Sequence, residues 1–176
     1  SRGLGDVYKR QILKCGVASM EELLSIPGRP TAERMEKGPV AIIECVQGIP
    51  CNPCEVACPK NAITVGERIT NLPALDGKKC IGCGLCIAQC PGLAIFVVDK
   101  NYSETESTVE FPFEYQNLPV VGDEVEAVSR FGKTVCKGKV LQIRNLPSFN
   151  HTTLVKIAIP KEYVDEVRSM KRRTSK

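Results

Sequence analysis

The sequence predicts an α+β protein in which a short helical arm precedes a cysteine-rich core, and a small antiparallel β-barrel with a terminal helix follows it. Three observations predict this arrangement. Eight of the ten cysteines lie between residues 45 and 90. Alternating or β-branched runs separated by turn residues begin near residue 108. Pro160 then opens a last segment whose apolar residues recur at helical spacing.

The segment before the cysteines carries helix-start signals. The capping-box pattern Ser19-x-x-Glu22 predicts a short helix over 19–26 that ends at a proline. A second short helix is predicted over 31–37. The apolar run 40–45 predicts a buried strand that delivers its last residue, a cysteine, to the cysteine-rich region. We therefore expect a helical arm without a catalytic signature.

Residues 1–11 read SRGLGDVYKRQ, and one choice of codons for them resembles a transposase sequencing adapter over its full length. We interpret this segment as translated adapter and exclude it from fold reasoning. The helical arm then comprises residues 12–39. The alternative interpretation is a flexible native tail.

The cysteine runs have the spacing of iron–sulfur ligands. The second run, Cys80-x2-Cys83-x2-Cys86-x3-Cys90-Pro, is the bacterial iron–sulfur pattern. A four-iron cubane needs four thiolates, and a tight turn with a cysteine at every third position supplies three of them. The fourth cysteine of such a run points away and, in two-cluster proteins, ligates the other cluster. The spacing therefore predicts a protein that carries electrons.

The first run departs from this pattern at one position. The two runs are an internal duplication at an offset of 32 residues, with Cys51 aligned to Cys83, Cys54 to Cys86 and Cys58 to Cys90. At this offset Cys80 falls on Gly48, and the nearest candidate for the missing ligand is Cys45. Either Cys45 reaches the cluster across a loop three residues longer than usual, or the first site has three protein ligands.

Two other uses of the cysteines fit the sequence less well. Structural zinc sites generally use two separated cysteine pairs, whereas here three closely spaced cysteines are followed by Cys-Pro, twice. A disulfide framework is disfavoured because no secretory signal is visible, and thiol-rich clusters belong in a reducing compartment. No stretch of 18 apolar residues predicts a membrane span. We therefore expect a cytoplasmic protein.

Residues 40–98 resemble a bacterial-type ferredoxin with two [4Fe-4S] clusters, on the strength of the segments CNPCEVACPKNAI and CIGCGLCIAQCPGLAI. The resemblance implies that strands at 63–65 and 94–98 flank the clusters. It also implies the ligands. Cluster 1 would be held by Cys45, Cys51, Cys54 and Cys90, and cluster 2 by Cys80, Cys83, Cys86 and Cys58.

A polar stretch, 99–108, predicts a linker to a second domain over 109–176. The strands of the predicted barrel fall at 108–113, 124–128, 134–143 and 153–159. The terminal helix is predicted from Pro160, with Tyr163, Val164, Val167 and Met170 on the face that caps the barrel.

Three residues have a reactive side chain but no partner at ligand spacing. They are His151, in a predicted loop, and Cys15 and Cys136. We assign none of them a role.

The charge distribution makes nucleic acid an unlikely partner. Of the net charge of +4, residues 1–11 contribute +2 and residues 166–176 contribute +4, which leaves −2 for residues 12–165. The predicted barrel shows no basic stripe interleaved with aromatic residues. A nucleic-acid-binding module with structural clusters, gripping phosphates through Lys171, Arg172 and Arg173, stays as an alternative.

The sequence lacks a phosphate-binding loop, a dinucleotide fingerprint and a nucleophile with its base. We therefore expect an electron carrier without a substrate site of its own, which exchanges electrons by docking to flavoprotein oxidoreductase subunits. The layout, with IECVQGIPCNPCEVACP early and a basic helix at the end, resembles the small ferredoxin-type subunits of flavin-dependent amino-acid or opine dehydrogenases. A freely diffusing ferredoxin is the other alternative.

Overall fold

Antiparallel strand pairing dominates the computed structural model, which describes residues 18–173. The segment 1–11 interpreted as adapter and the unassigned Cys15 lie outside the described residues. Four short helices and nine strands are described. The helices are α1 (Met20–Ser25), α2 (Ala32–Met35), α3 (Pro53–Val56) and α4 (Leu85–Ala88). The strands are β1 (Val40–Ile43), β2 (Ile63–Thr64), β3 (Ala74–Leu75), β4 (Ile95–Asp99), β5 (Glu106–Pro112), β6 (Glu124–Ser129), β7 (Thr134–Arg144), β8 (Leu154–Pro160) and β9 (Val167–Met170).

Local sequence signals place most of these elements correctly. The capping box is present, because the Ser19 side chain accepts a hydrogen bond from the Glu22 backbone and the Glu22 carboxylate accepts one from the Ser19 backbone. Thr31 caps α2 in the same way by accepting from the Arg34 backbone. Strands β5 to β8 lie within two residues of the four predicted barrel strands.

The predicted closed β-barrel is wrong. Within the described part of the chain, seven strands form one open sheet in the order β1-β4-β5-β8-β7-β6-β9, and a separate two-stranded sheet pairs β2 with β3. A barrel made from the C-terminal half alone would need β5 to pair with β9. That edge of β5 is instead taken by β4, with Val97 opposite Glu110. One sheet therefore runs from the cysteine-rich part into the C-terminal half.

The predicted linker lies inside this sheet. Residues 99–108 contain the end of β4, a turn and the first three residues of β5. Thr108 pairs with Asp99 across the turn. The division into separate domains stays a prediction.

The predicted terminal helix is also wrong. Residues Lys161–Tyr163 form a single 3₁₀ turn, and Val167–Met170 is strand β9, which pairs antiparallel with β6. The apolar spacing of this segment fits a helix. Pairing with β6 satisfies the backbone groups of the same segment, and this tertiary contribution overrides the local pattern because a short helix has little stability of its own.

Alternate residues of β1 and β4 build two apolar cores on opposite faces of the sheet. One core contains Val40, Ile42, Phe96 and Val98 together with most apolar residues of β5 to β9. The other contains Ala41, Ile43, Ile95 and Val97, and the predicted cluster ligands pack against it. The period-two alternation of the strands thus separates the cysteine side of the sheet from the side covered by the C-terminal half.

A buried ion cluster ties the end of β1 to the C-terminal half. The Glu44 carboxylate accepts hydrogen bonds from Arg130, at 2.8 Å, and from Arg168, at 2.7 Å. The Glu44 and Arg168 side chains are only 7% and 2% exposed. Burial alone would raise the pKa of Glu44, but the hydrogen bonds and positive charges of Arg130 and Arg168 outweigh it and hold the pKa below its usual range. Glu44 is therefore ionised and shared by two guanidinium groups.

We expect Glu44→Gln to lower the free energy of unfolding by about 3–5 kcal/mol, because it leaves two guanidinium groups in the protein interior without a counterion. Urea unfolding of the full chain measures the change. Glu124→Gln is the matched control, since it removes the exposed partner of Lys137, and it should cost at most about 1 kcal/mol. Equal losses of unfolding free energy in the two variants would contradict the assignment of Glu44 as the centre of a buried, stabilising ion cluster.

Candidate cluster-binding site

The four cysteines predicted to hold cluster 2 line a single cavity on the cysteine side of the sheet. They are Cys58, Cys80, Cys83 and Cys86. The walls between them are mostly apolar and come from β1, β2 and β4 through Ala41, Ile63 and Val97. The structure thus brings Cys58, the last cysteine of the first run, to three cysteines of the second run.

The four cysteines predicted to hold cluster 1 are also neighbours. Burial raises the pKa of Cys54 to about 11, and the charges of Cys90, Cys51 and Cys45 add to this rise. Burial likewise raises the pKa of Cys45, with further contributions from Cys90 and Cys51. The Cys45 thiol therefore lies close enough to Cys51 and Cys90 for their charges to raise its pKa, and close enough to Cys54 to raise the pKa of that residue.

The two sets of cysteines adjoin each other. Cys54 on α3 and Cys86 on α4 belong to the same apolar core. Burial raises the pKa of Cys86 to about 12, and the charges that raise it further come from Cys80, Cys83, Cys58 and Cys54. The pKa of Cys86 is therefore raised by Cys54, a member of the other set, as well as by the other three members of its own set.

The internal duplication is visible in the turns that follow α3 and α4. The Cys58 backbone donates to the Glu55 carbonyl and the Cys90 backbone to the Ile87 carbonyl, both at 3.2 Å. Three residues beyond each cysteine, Asn61 and Leu93 both adopt a left-handed conformation, with φ of 49° and 51°. Each turn then brings a backbone amide to its own cysteine sulfur.

Backbone amides donate hydrogen bonds to several of the cysteine sulfurs. Ala62 donates to Cys58 Sγ at 3.2 Å and Ala94 to Cys90 Sγ at 3.5 Å, at equivalent positions of the duplication. Ala41 on β1 donates to Cys80 Sγ at 3.4 Å. Amide donors of this kind stabilise thiolate and shift the reduction potential of a cluster bound through it.

The donor set fits an iron–sulfur cubane. Among residues 18–173, no three His, Cys, Asp or Glu side chains are arranged to hold a single metal ion. A cubane keeps its four thiolates further apart than a single ion does, because each thiolate binds a different iron. Four thiols around an apolar cavity with sulfur-directed amides suit the larger group. Coordination would keep these buried thiols deprotonated despite their raised pKa values.

Arg34 on α2 fixes the start of the second cysteine run. Its guanidinium donates to the carbonyls of Gly77, Gly38, Pro39 and Cys80, at 2.6 to 3.1 Å. Its hydrogen bonds therefore all go to backbone oxygens around the loop that carries Cys80. The helical arm thus has a structural role at the site.

Arg144 at the end of β7 fixes the next cysteine of the same loop. Both terminal nitrogens of its guanidinium donate to the Cys83 carbonyl at 3.0 Å, and its Nε donates to Glu110 at 2.8 Å. The Glu110 side chain is only 2% exposed. Gly84, with a φ of +79°, packs directly against this pair, and a Cβ at this position would collide with the Arg144 guanidinium. The C-terminal half therefore helps to shape the loop that carries the predicted ligands Cys80 and Cys83.

Sequence reasoning identified the cysteines but missed Arg34, Arg144 and Glu110. Arg144 is 61 residues from the carbonyl that it contacts, and Arg34 is 46 residues from Cys80. Neither carries a local signal of this role. Glu110 alternates with Val109 and Phe111 in a strand, a pattern that predicts a solvent-facing glutamate, whereas the structure buries all three residues.

His151 and Cys136 belong to neither set of predicted ligands. His151 is exposed in the loop between β7 and β8, and Cys136 is half-buried in β7. None of the helices in the described part of the chain has the length and apolar character to cross a lipid bilayer.

Comparison with known proteins identifies the cysteine-rich part. Residues 44–94 match the family model described as "4Fe-4S dicluster domain". This confirms the prediction of an iron–sulfur ferredoxin domain of the 4Fe-4S type, and it favours iron over the zinc alternative. No solved structure shows a significant match to the chain.

Several curated proteins are similar to part of the chain. The polyferredoxin-like subunit of an aliphatic sulfonate oxidoreductase from Pyrococcus furiosus is 48% identical over 48 residues, which cover 27% of this chain and 27% of that protein. An uncharacterized ferredoxin from Methanocaldococcus jannaschii is 31% identical over 75 residues, 43% of this chain and 45% of that protein. F(420)H(2) dehydrogenase subunit I from Methanosarcina mazei is 46% identical over 41 residues, 23% of each chain. The matches thus span less than half of each relative.

We expect Gly84→Ala to lower the iron content of the anaerobically purified chain by about half, because the new methyl group displaces Arg144 from the Cys83 carbonyl and distorts only one of two four-iron sites. Iron and acid-labile sulfide per chain measure the loss. Gly132→Ala is the matched control, because Gly132 has a similar φ of +74° but no atom near its Cβ direction. The same iron content in both variants would contradict the role given to Gly84.

Proposed function

We propose that this chain relays single electrons through two [4Fe-4S] clusters as a subunit of an oxidoreductase complex. The observation that carries the proposal is the arrangement of eight cysteines in two adjoining sets, joined where α3 and α4 meet. The match to a 4Fe-4S dicluster domain supports the same assignment. Each cluster, when bound, accepts and releases one electron at a time; the chain itself has no substrate to convert.

The ligands of cluster 2 are Cys58, Cys80, Cys83 and Cys86. Their common cavity supports this assignment. The apolar walls exclude water, and the amides of Ala62 and Ala41 donate to two of the sulfurs. Arg34 and Arg144 hold the connecting loop by its carbonyls, so the thiols are positioned before a cluster enters.

The ligands of cluster 1 are Cys45, Cys51, Cys54 and Cys90. Cys45 stands three residues before the position that the duplication marks for it, and the alternative is a cluster with three protein ligands. The proximity of the Cys45 thiol to Cys51, Cys54 and Cys90 favours four ligands. The longer loop from Cys45 to Cys51 accommodates the shift.

The role of a complex subunit is supported by the relatives, whose names describe ferredoxins and subunits of oxidoreductases. We extend this proposal to a flavoprotein as the immediate electron partner. The complex would then be a cytoplasmic amino-acid or opine dehydrogenase. The basic terminal helix, one of the two features behind that finer resemblance, is a strand in this structure. The cysteine-bearing segment is the feature that still supports this finer resemblance.

The two alternatives have less support. A freely diffusing ferredoxin needs little beyond residues 40–98, whereas here one sheet joins that part to the rest of the chain. A nucleic-acid-binding module would use the basic end of the chain. Lys171 and Arg173 already pair with Glu126 and Asp123 on the same surface, which reduces their charge toward phosphates.

Metal analysis tests the cluster assignment. We expect about eight iron and about eight acid-labile sulfide per chain in protein purified without oxygen, as two cubanes require. Cys45→Ser should then lower both by about half and remove one of two reduced-cluster signals in electron paramagnetic resonance. Cys136→Ser, which changes a half-buried cysteine outside both sets, should change neither.

Three results would contradict parts of the assignment. An unchanged signal in Cys45→Ser would favour a cluster with three protein ligands. About four iron atoms per parent chain would indicate a single four-iron cluster. Zinc in place of iron would overturn electron transfer altogether.

Co-purification tests the place in a complex. We expect the native protein, isolated anaerobically from its source, to elute from a sizing column with a flavin-containing polypeptide at a constant ratio of flavin to iron. The physical reason is that an electron carrier without a substrate site needs a docked partner. Elution at the size of a single chain, free of flavin, would instead support the freely diffusing ferredoxin.

A further inference from the structure

Two arginines bring positive charge to the loop that carries the predicted ligands Cys80 and Cys83. Arg34 donates to the Cys80 carbonyl at 2.8 Å, and Arg144 donates to the Cys83 carbonyl at 3.0 Å. Both cysteines line the cavity of cluster 2. Each guanidinium therefore contacts the backbone of a residue whose thiol is a predicted ligand, but the two arginines differ in what balances their charge.

No carboxylate balances the charge of Arg34 within residues 18–173. Its hydrogen-bond acceptors are all backbone carbonyls, those of Gly77, Gly38, Pro39 and Cys80. The loop packs closely against its side chain, because a Cβ at Gly77 would lie 2.9 Å from the Arg34 Cγ. The half-buried Arg34 therefore holds a net positive charge against the loop, where water screens it only in part.

The charge of Arg144 is balanced by Glu110. Arg144 Nε donates to one Glu110 oxygen at 2.8 Å, and Arg144 Nη2 lies 2.7 Å from the same oxygen. The Glu110 side chain is buried. This ion pair therefore contributes hydrogen bonds to the loop without adding a net charge to it.

A positive charge beside an iron–sulfur cluster favours its reduced state. The potential of a cluster depends on the net charge around it, on hydrogen bonds to its sulfurs and on its exposure to solvent. Uptake of one electron makes the cluster more negative by one unit of charge. A nearby guanidinium without a counterion stabilises this product by Coulomb attraction, and more strongly where apolar walls exclude water.

We propose that the unbalanced charge of Arg34, together with the balance of Arg144 by Glu110, sets the reduction potential of cluster 2. This inference rests on the proposed function, because it requires a cluster in the cavity that Cys80 and Cys83 line. Arg34 raises the potential. Glu110 keeps the potential from rising further, because it cancels the charge of Arg144.

The three residues belong to the parts of the chain outside the ferredoxin-like segment 40–98. Arg34 lies in the helical arm, and Glu110 and Arg144 lie in β5 and β7. A chain reduced to the ferredoxin-like segment would keep the cysteines of cluster 2 but lose all three charges. The arm and the C-terminal half thus give cluster 2 a potential that its cysteines alone do not determine.

Redox titration of the full chain, purified without oxygen, tests this inference. Electron paramagnetic resonance follows the reduced clusters while dithionite supplies one electron to each through mediators. Arg34→Gln should lower the equilibrium constant for reduction of one cluster about ten-fold, which is about 59 mV for one electron. It should leave the other cluster unchanged. Arg34→Lys keeps the positive charge and should restore most of the potential of the parent chain.

Glu110→Gln should shift the potential of the same cluster in the opposite direction. Glutamine keeps the shape of the side chain and an oxygen acceptor for Arg144, but it leaves the charge of Arg144 unbalanced. The equilibrium constant for reduction should therefore rise by a similar factor. Substitutions that only disturb the loop would not give shifts of opposite sign. An unchanged potential in Glu110→Gln would overturn the inference even where Arg34→Gln fails to fold.

Lys79→Gln is the matched control. Lys79 directly precedes Cys80, but its side chain is exposed and paired with Asp76, so its loss should leave both potentials unchanged. A shift equal to that of Arg34→Gln would indicate a general effect of surface charge and would overturn the role of Arg34. Failure of Arg34→Lys to restore the potential would overturn the role of its charge.

Failure of this inference is distinguishable from failure of the proposed function. A parent chain without iron–sulfur clusters would contradict the proposed function itself. Two intact clusters whose potentials do not respond to Arg34→Gln and Glu110→Gln would contradict only the role given to these charges.

Discussion

The pairing of β4 with β5 is the interaction on which the rest of the structure depends. β4 follows the second cysteine run directly, and its residue Val97 both lines the cavity of cluster 2 and lies opposite Glu110 of β5. This register places Glu110 on the cysteine side of the sheet. Arg144 then reaches Glu110 and the Cys83 carbonyl together. The C-terminal half is therefore part of the structure around the cluster-binding loop.

This arrangement changes how the extra residues of the chain are understood. From the sequence they look like additions to a complete electron carrier, with docking as their use. In the structure Arg34 of the arm and Arg144 of β7 hold neighbouring carbonyls of one loop. Backbone carbonyls held by guanidinium groups cannot reorient freely, so these contacts restrain the loop. Docking remains compatible with this role.

Charge is distributed differently on the two faces of the sheet. On the cysteine face the predicted ligands would carry negative charge as thiolates, and Arg34 and Arg144 donate there to backbone carbonyls, with Glu110 as the carboxylate partner of Arg144. The opposite face holds an excess of guanidinium around Glu44. The same strand, β4, separates the two regions with one apolar face toward each.

The sequence by itself determined the chemistry of the protein. Cysteine spacing identifies a 4Fe-4S domain because ligation by thiolates is local, and three ligands of a cubane come from one turn. The duplication, the capping box at Ser19 and the strands β5 to β8 were likewise readable, since each depends on residues close in the chain. Only the tertiary structure decided that the sheet stays open and that residues 167–170 form a strand. It also decided that Arg34, Arg144 and Glu110 meet the cysteine loop. These outcomes depend on which strands pair along their edges and on contacts between residues far apart in the chain. Neither can be inferred from a local sequence pattern.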